Sequence, residues 1–320
     1  MELRQVPGTE IKVSPICLGT MTYGRPVGKK EAIRLTQVAI GLGINFIDTA
    51  NMYEGYDRKA GSAGGVAEEI LGEALAGRRE DVVLITKVGN AIGPGNDDRG
   101  LGRTHVRREI ERSLRRLGTD HVDFYLAHRP DPETQLEEVA ETFGRLVEEG
   151  KVRHWGFSNF SGPEVEELAA LAKGGSVEAP RLSQPPYSML NREIEREHLP
   201  ACRRNDIGVV CYRVLESGLL TGKYRRGEAP PSGSRASEKP EWVNLEKIDE
   251  STFAKVDAVC ALAREASVAP GQYAISWVIA QPGVLAAIVG VKREEQIQEA
   301  AAAASYQLSS DELVRLRKIL

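Results

Sequence analysis

Short runs of Val, Ile, Leu and aromatic residues recur along the chain, and each is followed by a segment with helical spacing of its apolar residues. This alternation is typical of parallel βαβ units. Eight such runs predict eight strands, the number that closes a parallel barrel. The predicted strands span residues 16–20, 44–48, 82–86, 122–127, 152–157, 181–184, 207–212 and 286–290.

Two further elements are predicted outside this alternation. Residues 2–5 and 10–13 flank the turn sequence VPGT and predict a small hairpin that caps one end of the barrel. Residues 309–320 predict an extra C-terminal helix. We therefore predict an α/β fold, a single (β/α)8 TIM-barrel domain over residues 1–320.

Three stretches are too long and polar for ordinary barrel loops: residues 54–65, 89–103 and 222–245. Each follows the carboxyl end of a predicted strand, which is where barrel enzymes build their sites. They are candidate lids or binding loops, although residues 54–65 are equally compatible with a mobile surface loop.

Composition excludes several classes of function. Apolar residues make up 41% of the chain, charged residues 28%, and the net charge is −4, so no nucleic-acid partner is expected. No apolar stretch approaches the roughly 20 residues that span a bilayer, so no membrane partner is expected either. The four cysteines form no C-x-x-C pair, which favours reduced thiols and a cytoplasmic protein. Histidine spacing predicts no metal site, and the pattern leaves the oligomeric state open.

Polar residues cluster where the apolar runs end on their carboxyl side. Because these ends meet at one mouth of a barrel, side chains from six strands are expected to converge there. The residues are Asp48, Lys87, His128, Ser158, Asn159, Gln184 and Tyr212.

Tyr53 lies five residues beyond Asp48 and suggests which reaction this cluster could catalyse. An ammonium from Lys87 would lower the phenol pKa from about 10, and Asp48 would keep Lys87 charged. Tyr53 could then donate a proton near neutral pH while an uncharged His128 orients a substrate oxygen. Hydride would have to come from a nicotinamide or flavin, because no side chain donates it.

Two other interpretations use the same residues. Asp48 and Lys87 could be a buried ion pair, with Tyr53 and His128 as packing residues. Lys87 could instead form a Schiff base, but a neighbouring carboxylate raises a lysine pKa, and this opposes that chemistry.

The chain resembles the aldo-keto reductase superfamily, in the branch that contains bacterial aldo-keto reductases and the β subunits of voltage-gated potassium channels. The resemblance covers essentially the whole chain and implies that Asp48, Tyr53, Lys87 and His128 form a catalytic tetrad. Its motifs are FIDTANMY (46–53), LITKVG (84–89), DFYLAHRPDP (123–132), VRHWGFSN (152–159), SQPPYSML (183–190), SGLLTGKY (217–224) and IVGVKREEQIQEA (288–300).

The resemblance also implies an extended nicotinamide cofactor across the barrel mouth, NADPH (NADP+) in preference to NADH. Ser158, Asn159 and Gln184 would bind its carboxamide, and Tyr212 would stack on the ring. Lys292 and Arg235 would meet the 2′-phosphate. Further contacts are expected from Thr20, Met21, Asp48, Arg213, Leu215, Ser217, Lys223, Gly290, Gln296 and Glu299.

The chain departs from the family pattern in three places. Arg213 replaces a small hydroxyl residue near the expected pyrophosphate site, and Ala300 stands where an asparagine often follows Glu299. Residues 54–65 are also longer than the usual turn. The implied activity is NADPH-dependent reduction of a small-molecule carbonyl, with the proton from Tyr53. The alternative is an NADPH-binding regulatory or redox-sensing protein with slow, incidental turnover.

Overall fold

A computed structural model describes residues 1–59, 61–175 and 177–320. It contains a closed barrel of eight parallel strands in chain order, as the sequence predicted, and the last strand pairs with the first. The eight barrel strands follow a two-stranded antiparallel hairpin of β1 (Arg4–Gln5) and β2 (Lys12–Val13). They are β3 (Ile16–Gly19), β4 (Phe46–Asp48), β5 (Val83–Val88), β6 (Val122–Ala127), β7 (Val152–Ser158), β8 (Leu182–Gln184), β9 (Gly208–Cys211) and β10 (Val284–Gly290).

The hairpin closes the amino-terminal end of the barrel, which confirms its expected role. Val6 and Val13 are fully buried and belong to the same apolar cluster as the side chains that fill the barrel interior, among them Phe46 and Phe124. Apolar packing therefore seals this end of the barrel interior.

Helices surround the barrel, and most of them cover its outer face. They are α1 (Lys29–Gly41), α2 (Val66–Ala74), α3 (Arg103–Leu117), α4 (Leu136–Glu148), α5 (Gly162–Lys173), α6 (His198–Arg204), α7 (Arg235–Glu238), α8 (Glu250–Glu265), α9 (Pro270–Ile279), α10 (Glu294–Ala303) and α11 (Ser310–Ile319). The last is the extra C-terminal helix that the sequence predicted. Among the described residues, no helix is both long and apolar enough to cross a membrane.

The three long polar stretches all leave the carboxyl ends of strands. Residues 54–65 follow β4 and include one 3₁₀ turn, Gly55–Asp57; Ala60 of this stretch lies outside the described residues. Residues 89–103 follow β5 and include the 3₁₀ turn Asn96–Asp98. Residues 222–245 follow β9 and contain α7. All three contribute side chains to the cavity at this end of the barrel.

Candidate active site

A cavity of about 550 Å³ opens at the carboxyl end of the barrel. Its walls come from the ends of most barrel strands and from the three long loops. The cavity extends from the end of β4, where Asp48 and Tyr53 lie, to the end of β10, where Gly290 and Lys292 lie. A single elongated depression therefore joins the predicted catalytic residues to the predicted phosphate-binding residues.

An ion pair lies beneath the cavity floor. Lys87 Nζ is 2.7 Å from Asp48 Oδ1, and both side chains are almost completely shielded from solvent. The same Nζ donates to the backbone oxygen of Thr49 at 2.8 Å and to the hydroxyl of Tyr53 at 3.2 Å. The strand register explains the contact, because Asp48 at the end of β4 pairs with Ile85, two residues before Lys87 on β5.

The ammonium of Lys87 is stable in this setting. Burial by itself lowers the pKa of Lys87, but the charge of Asp48 and the phenol of Tyr53 more than reverse this effect, so the net pKa is raised. A charged lysine cannot act as the nucleophile that Schiff-base formation needs. The alternative lysine chemistry is therefore disfavoured by the structure as well as by the sequence.

The expectation for the pKa of Tyr53 was wrong in sign. Burial raises the pKa of Tyr53 above its ordinary value, and the nearby ammonium of Lys87 offsets only part of this effect. The sequence indicated that the Lys87 cation lies near Tyr53, but it did not indicate how far the phenol is buried. The consequence is that Tyr53 holds its proton at neutral pH and can act as a donor.

His128 lies beside Tyr53 at the end of β6. The two rings meet edge to face with their centroids 5.9 Å apart. Burial, assisted by the charges of Lys87 and Arg129, holds the pKa of His128 well below its ordinary value, so the imidazole is neutral. Nδ1 of His128 is buried and has no hydrogen-bond partner among the described residues.

A hydrogen-bonded chain of side chains continues around the mouth from β7 to β9. Gln184 donates to Asp48 Oδ1 at 2.7 Å, and Ser158 donates to the backbone oxygen of Gln184 at 2.7 Å. Asn159 donates to the backbone oxygen of His128 at 2.9 Å and accepts from the hydroxyl of Tyr212 at 2.7 Å. The network fixes these side chains relative to the ion pair.

Cations gather at the other end of the cavity. Partial burial, together with the neighbouring charges of Lys292 and Arg235, lowers the pKa of Lys223, although much of its side chain faces open space. Lys292 donates to the backbone oxygen of Gly233 at 3.0 Å and forms an ion pair with Glu238. Such a concentration of positive charge favours an anionic ligand.

The backbone between these two regions is strained. Asn159, Arg213, Glu216 and Ser217 all have φ between 44° and 65°, which L-residues seldom adopt. Such strain concentrates at binding sites, where the surrounding structure holds it in place. Arg213 and Ser217 both line the cavity, so this strain lies within its wall.

Most of the sequence-predicted residues lie on the cavity wall, but three do not. Lys87 is completely buried below Tyr53 and donates a hydrogen bond to its hydroxyl. Thr20 is buried, and its hydroxyl donates to the backbone oxygen of Asp48. Glu299 accepts from the backbone N–H of Gln272 at 3.0 Å, at the amino terminus of α9. Lining residues from the prediction are Met21, Asp48, Tyr53, His128, Ser158, Asn159, Gln184, Tyr212, Arg213, Leu215, Ser217, Lys223, Arg235, Gly290, Lys292 and Gln296.

Several residues that line the cavity were not predicted from the sequence, among them Met52, Tyr56, Asn90, Arg129 and Trp242. Four of these five had a signal in the sequence, because each lies within three residues of a tetrad position along the chain. No comparable signal marks Trp242 at the end of the β9 loop.

Tyr56 and Trp242 join two of the long loops. Their rings meet edge to face with centroids 5.3 Å apart, and Arg235 Nε donates to the Tyr56 hydroxyl at 3.1 Å. Lys292 Nζ lies 4.9 Å from the centre of the Tyr56 ring. The β9 loop is thus held across the cavity by contacts with both the β4 loop and the end of β10.

The fold and this site place the chain in a known class. The model of the aldo/keto reductase family matches residues 15–320, and the chain belongs to that family, whose members are oxidoreductases. Family membership supports carbonyl reduction as the general class of activity and a nicotinamide as the general class of cofactor.

Individual relatives extend over nearly the whole chain. An "uncharacterized oxidoreductase YrpG" of Bacillus subtilis is 36% identical over 327 residues, covering 100% of this chain and 96% of the relative. A "probable voltage-gated potassium channel subunit beta" of Arabidopsis thaliana is 34% identical over 304 residues, covering 93% and 90%. "Aldo-keto reductase YhdN" of Bacillus subtilis is 32% identical over 333 residues, covering 100% and 94%.

Proposed function

We propose that the protein reduces aldehydes or ketones to alcohols with NADPH, and that Tyr53 donates the proton. The observation that carries this proposal is the chain of contacts from Asp48 through Lys87 to the Tyr53 hydroxyl, which ends at the cavity beside an uncharged imidazole. A structural ion pair alone would not explain why a phenol and a neutral histidine meet at the same point of an open cavity.

Each tetrad residue has a distinct task in this proposal. Tyr53 is protonated at neutral pH and gives its proton to the carbonyl oxygen as negative charge develops there. Lys87 stabilises the resulting phenolate, and Asp48 keeps Lys87 charged and in place. His128 donates a hydrogen bond to the same oxygen without competing as an acid, because its imidazole is already neutral.

The residues at the catalytic end of the cavity fit a nicotinamide. Gln184 uses its amide N–H to bind Asp48, which leaves its amide oxygen available to the carboxamide of a ligand. Ser158 and Asn159 would add hydrogen bonds, and the ring of Tyr212 offers a stacking surface. When bound, the reduced nicotinamide supplies the hydride that no side chain can donate.

The other end of the cavity fits a phosphorylated ribose. Lys223, Arg235 and Lys292 all line it, and burial together with the charges of the other two lowers the pKa of Lys223. With three cations at this end, a 2′-phosphate would gain charge-assisted hydrogen bonds that a ribose hydroxyl cannot match, which favours NADPH over NADH. Arg213 lines the cavity between the two ends and would bind the pyrophosphate.

One observation favours the alternative of a regulatory or redox-sensing protein with slow turnover. The β9 loop is fastened across the cavity through the Lys292–Glu238 ion pair and the contacts of Tyr56 with Arg235 and Trp242. Such a closure would slow the exchange of a bound cofactor, as a protein that senses rather than turns over its cofactor requires.

Steady-state oxidation of NADPH with a panel of aldehydes tests the proposal. We expect turnover with several aldehydes and a lower kcat/KM with NADH in place of NADPH. Tight NADPH binding without turnover of any aldehyde would contradict the reductase proposal and support the alternative. Arg213→Ser adds a check on the pyrophosphate contact, because unchanged affinity for NADPH would exclude that role.

A further inference from the structure

The cavity wall has a large excess of positive charge. Five cations line it, namely Arg129, Arg213, Lys223, Arg235 and Lys292, whereas Asp48 is the one carboxylate among the described lining residues. Asp48 is already neutralised by Lys87. The cavity is therefore built for ligands with several negative charges.

These cations fall into separate groups. The charges of Arg235 and Lys292 act on Lys223 at the β10 end, where a dinucleotide would place its 2′-phosphate, and Arg213 lines the cavity wall as well. Arg129 lies at the other extreme, directly after His128, and is close enough for its charge to act on His128 and Tyr212. The phosphates of the proposed cofactor thus account for four cations but not for Arg129.

Arg129 has a polar neighbour on the adjacent strand. Val88 on β5 pairs with Ala127 on β6. Asn90 and Arg129 each lie two residues beyond this pair, so they leave neighbouring strands at the same level. Both side chains line the cavity. Neither makes a hydrogen bond or an ion pair with any of the residues that the structure describes, so both are available to a ligand that enters beside the tetrad.

We propose that Arg129 and Asn90 bind a carboxylate of the substrate, so that the preferred substrate is an aldehyde or ketone that also carries a carboxylate. This inference rests on the proposed reductase function. The reacting carbonyl would contact Tyr53 and His128, and the carboxylate would contact the guanidinium and the amide beside them. Met52, which precedes Tyr53 and lines the cavity, supplies apolar surface for the atoms that join the two groups.

The donor set favours a carboxylate over a phosphate. One guanidinium offers two parallel N–H groups that match the two oxygens of a carboxylate. A phosphate dianion carries more charge than the single cation at this end of the cavity would neutralise. Selectivity for a phosphorylated aldehyde over its carboxylated counterpart would therefore contradict the assignment.

Matched substrate pairs test the inference. We would compare 4-carboxybenzaldehyde with its methyl ester, and glycolaldehyde phosphate with glycolaldehyde, in wild-type protein and Arg129→Gln. The wild type should prefer the carboxylate, and Arg129→Gln should lower kcat/KM for it by about 10- to 100-fold, the effect of losing one charge-assisted hydrogen bond. Arg129→Gln should change the kcat/KM for the methyl ester by less than about threefold.

Arg203→Gln serves as the control, because Arg203 is an exposed arginine on α6 that does not line the cavity. It should leave both rates unchanged. Equal turnover of acid and ester by the wild type, or an equal loss for both in Arg129→Gln, would overturn the inference while the reductase function stands.

A binding measurement separates failure of this inference from failure of the proposed function. Calorimetry with 4-methylbenzoate, which cannot be reduced, should show binding to the wild type and its loss in Arg129→Gln. If no aldehyde is turned over but this binding is observed, the proposed function fails and the carboxylate site remains. If 4-methylbenzoate binds equally to both proteins, the carboxylate site is wrong.

Discussion

Lys87 Nζ lies 2.7 Å from Asp48 Oδ1 in a pair whose side chains are 0% and 4% exposed. A buried pair of this kind is costly to break, because removing one partner leaves an uncompensated charge in the interior. The same Nζ reaches the Tyr53 hydroxyl at 3.2 Å. The pair therefore links the stability of the barrel mouth to the protonation state of the Tyr53 phenol above it.

The first prediction concerns this pair. Asp48→Asn should destabilise the protein by about 3–5 kcal/mol, because Lys87 then lacks a counter-charge. Replacing both residues with apolar ones, as in Asp48→Leu with Lys87→Met, should cost less than the costs of Asp48→Leu alone and Lys87→Met alone added together. Urea unfolding of these two single variants and the double variant measures the coupling.

An exposed pair provides the reference for that cycle. Arg34 forms surface ion pairs with Glu31 on α1 and with Glu294, and Arg34→Gln should change the free energy of unfolding far less than Asp48→Asn does. Additive costs at Asp48 and Lys87 would show that the two charges do not depend on each other.

The second prediction concerns coenzyme preference. Lys292→Gln should lower the ratio of kcat/KM for NADPH to that for NADH by about tenfold or more, since one charge-assisted hydrogen bond is lost. Glu238→Gln should act in the opposite direction and tighten NADPH binding, because Glu238 competes for the same ammonium. Both ratios come from steady-state kinetics, and an unchanged ratio in Lys292→Gln would place the 2′-phosphate elsewhere.

The third prediction is a loss of stability at mildly acidic pH. The folded-state pKa of His128 is far below its unfolded value of about 6.5, so between these two values the unfolded chain binds more protons. The contribution of His128 is complete above about pH 6.5 and is lost as the pH falls below it, by up to about 1.4 kcal/mol per pH unit. Burial also lowers the pKa values of His105, His154 and His198, which adds to the slope.

Urea unfolding at pH 7.5 and 5.5 measures this slope. His128→Gln should lose less stability between the two pH values than the wild type does, because its side chain cannot titrate. Identical slopes for the two proteins would mean that His128 is protonated in the folded state.

The fold was largely predictable because the barrel strands carry near-continuous apolar runs and end in polar residues. β6, for example, has no exposed residue, and the polar His128 follows it directly. Asp48 and Lys87 could be placed at the barrel mouth for the same reason, since each lies at or near the carboxyl end of its strand. Local sequence carries this information.

The parts that could not be predicted depend on distant contacts. Tyr56 and Trp242 lie 186 positions apart and meet only because two loops fold over the same cavity. Glu299 belongs to a family motif, yet in the structure its carboxylate accepts from the backbone N–H of Gln272. The pKa of Tyr53 depends on the depth of the phenol, which no sequence pattern reports.

Tyr53→Phe tests the central claim most directly. NADPH-saturated wild type and variant would be mixed rapidly with the best aldehyde, and NADPH consumption followed in a single turnover beside an equilibrium measurement of NADPH affinity. We predict that the rate of reduction falls by about 10²- to 10⁴-fold, the contribution of general acid catalysis, while NADPH affinity is unchanged. A variant that reduces the aldehyde at the wild-type rate would contradict the account.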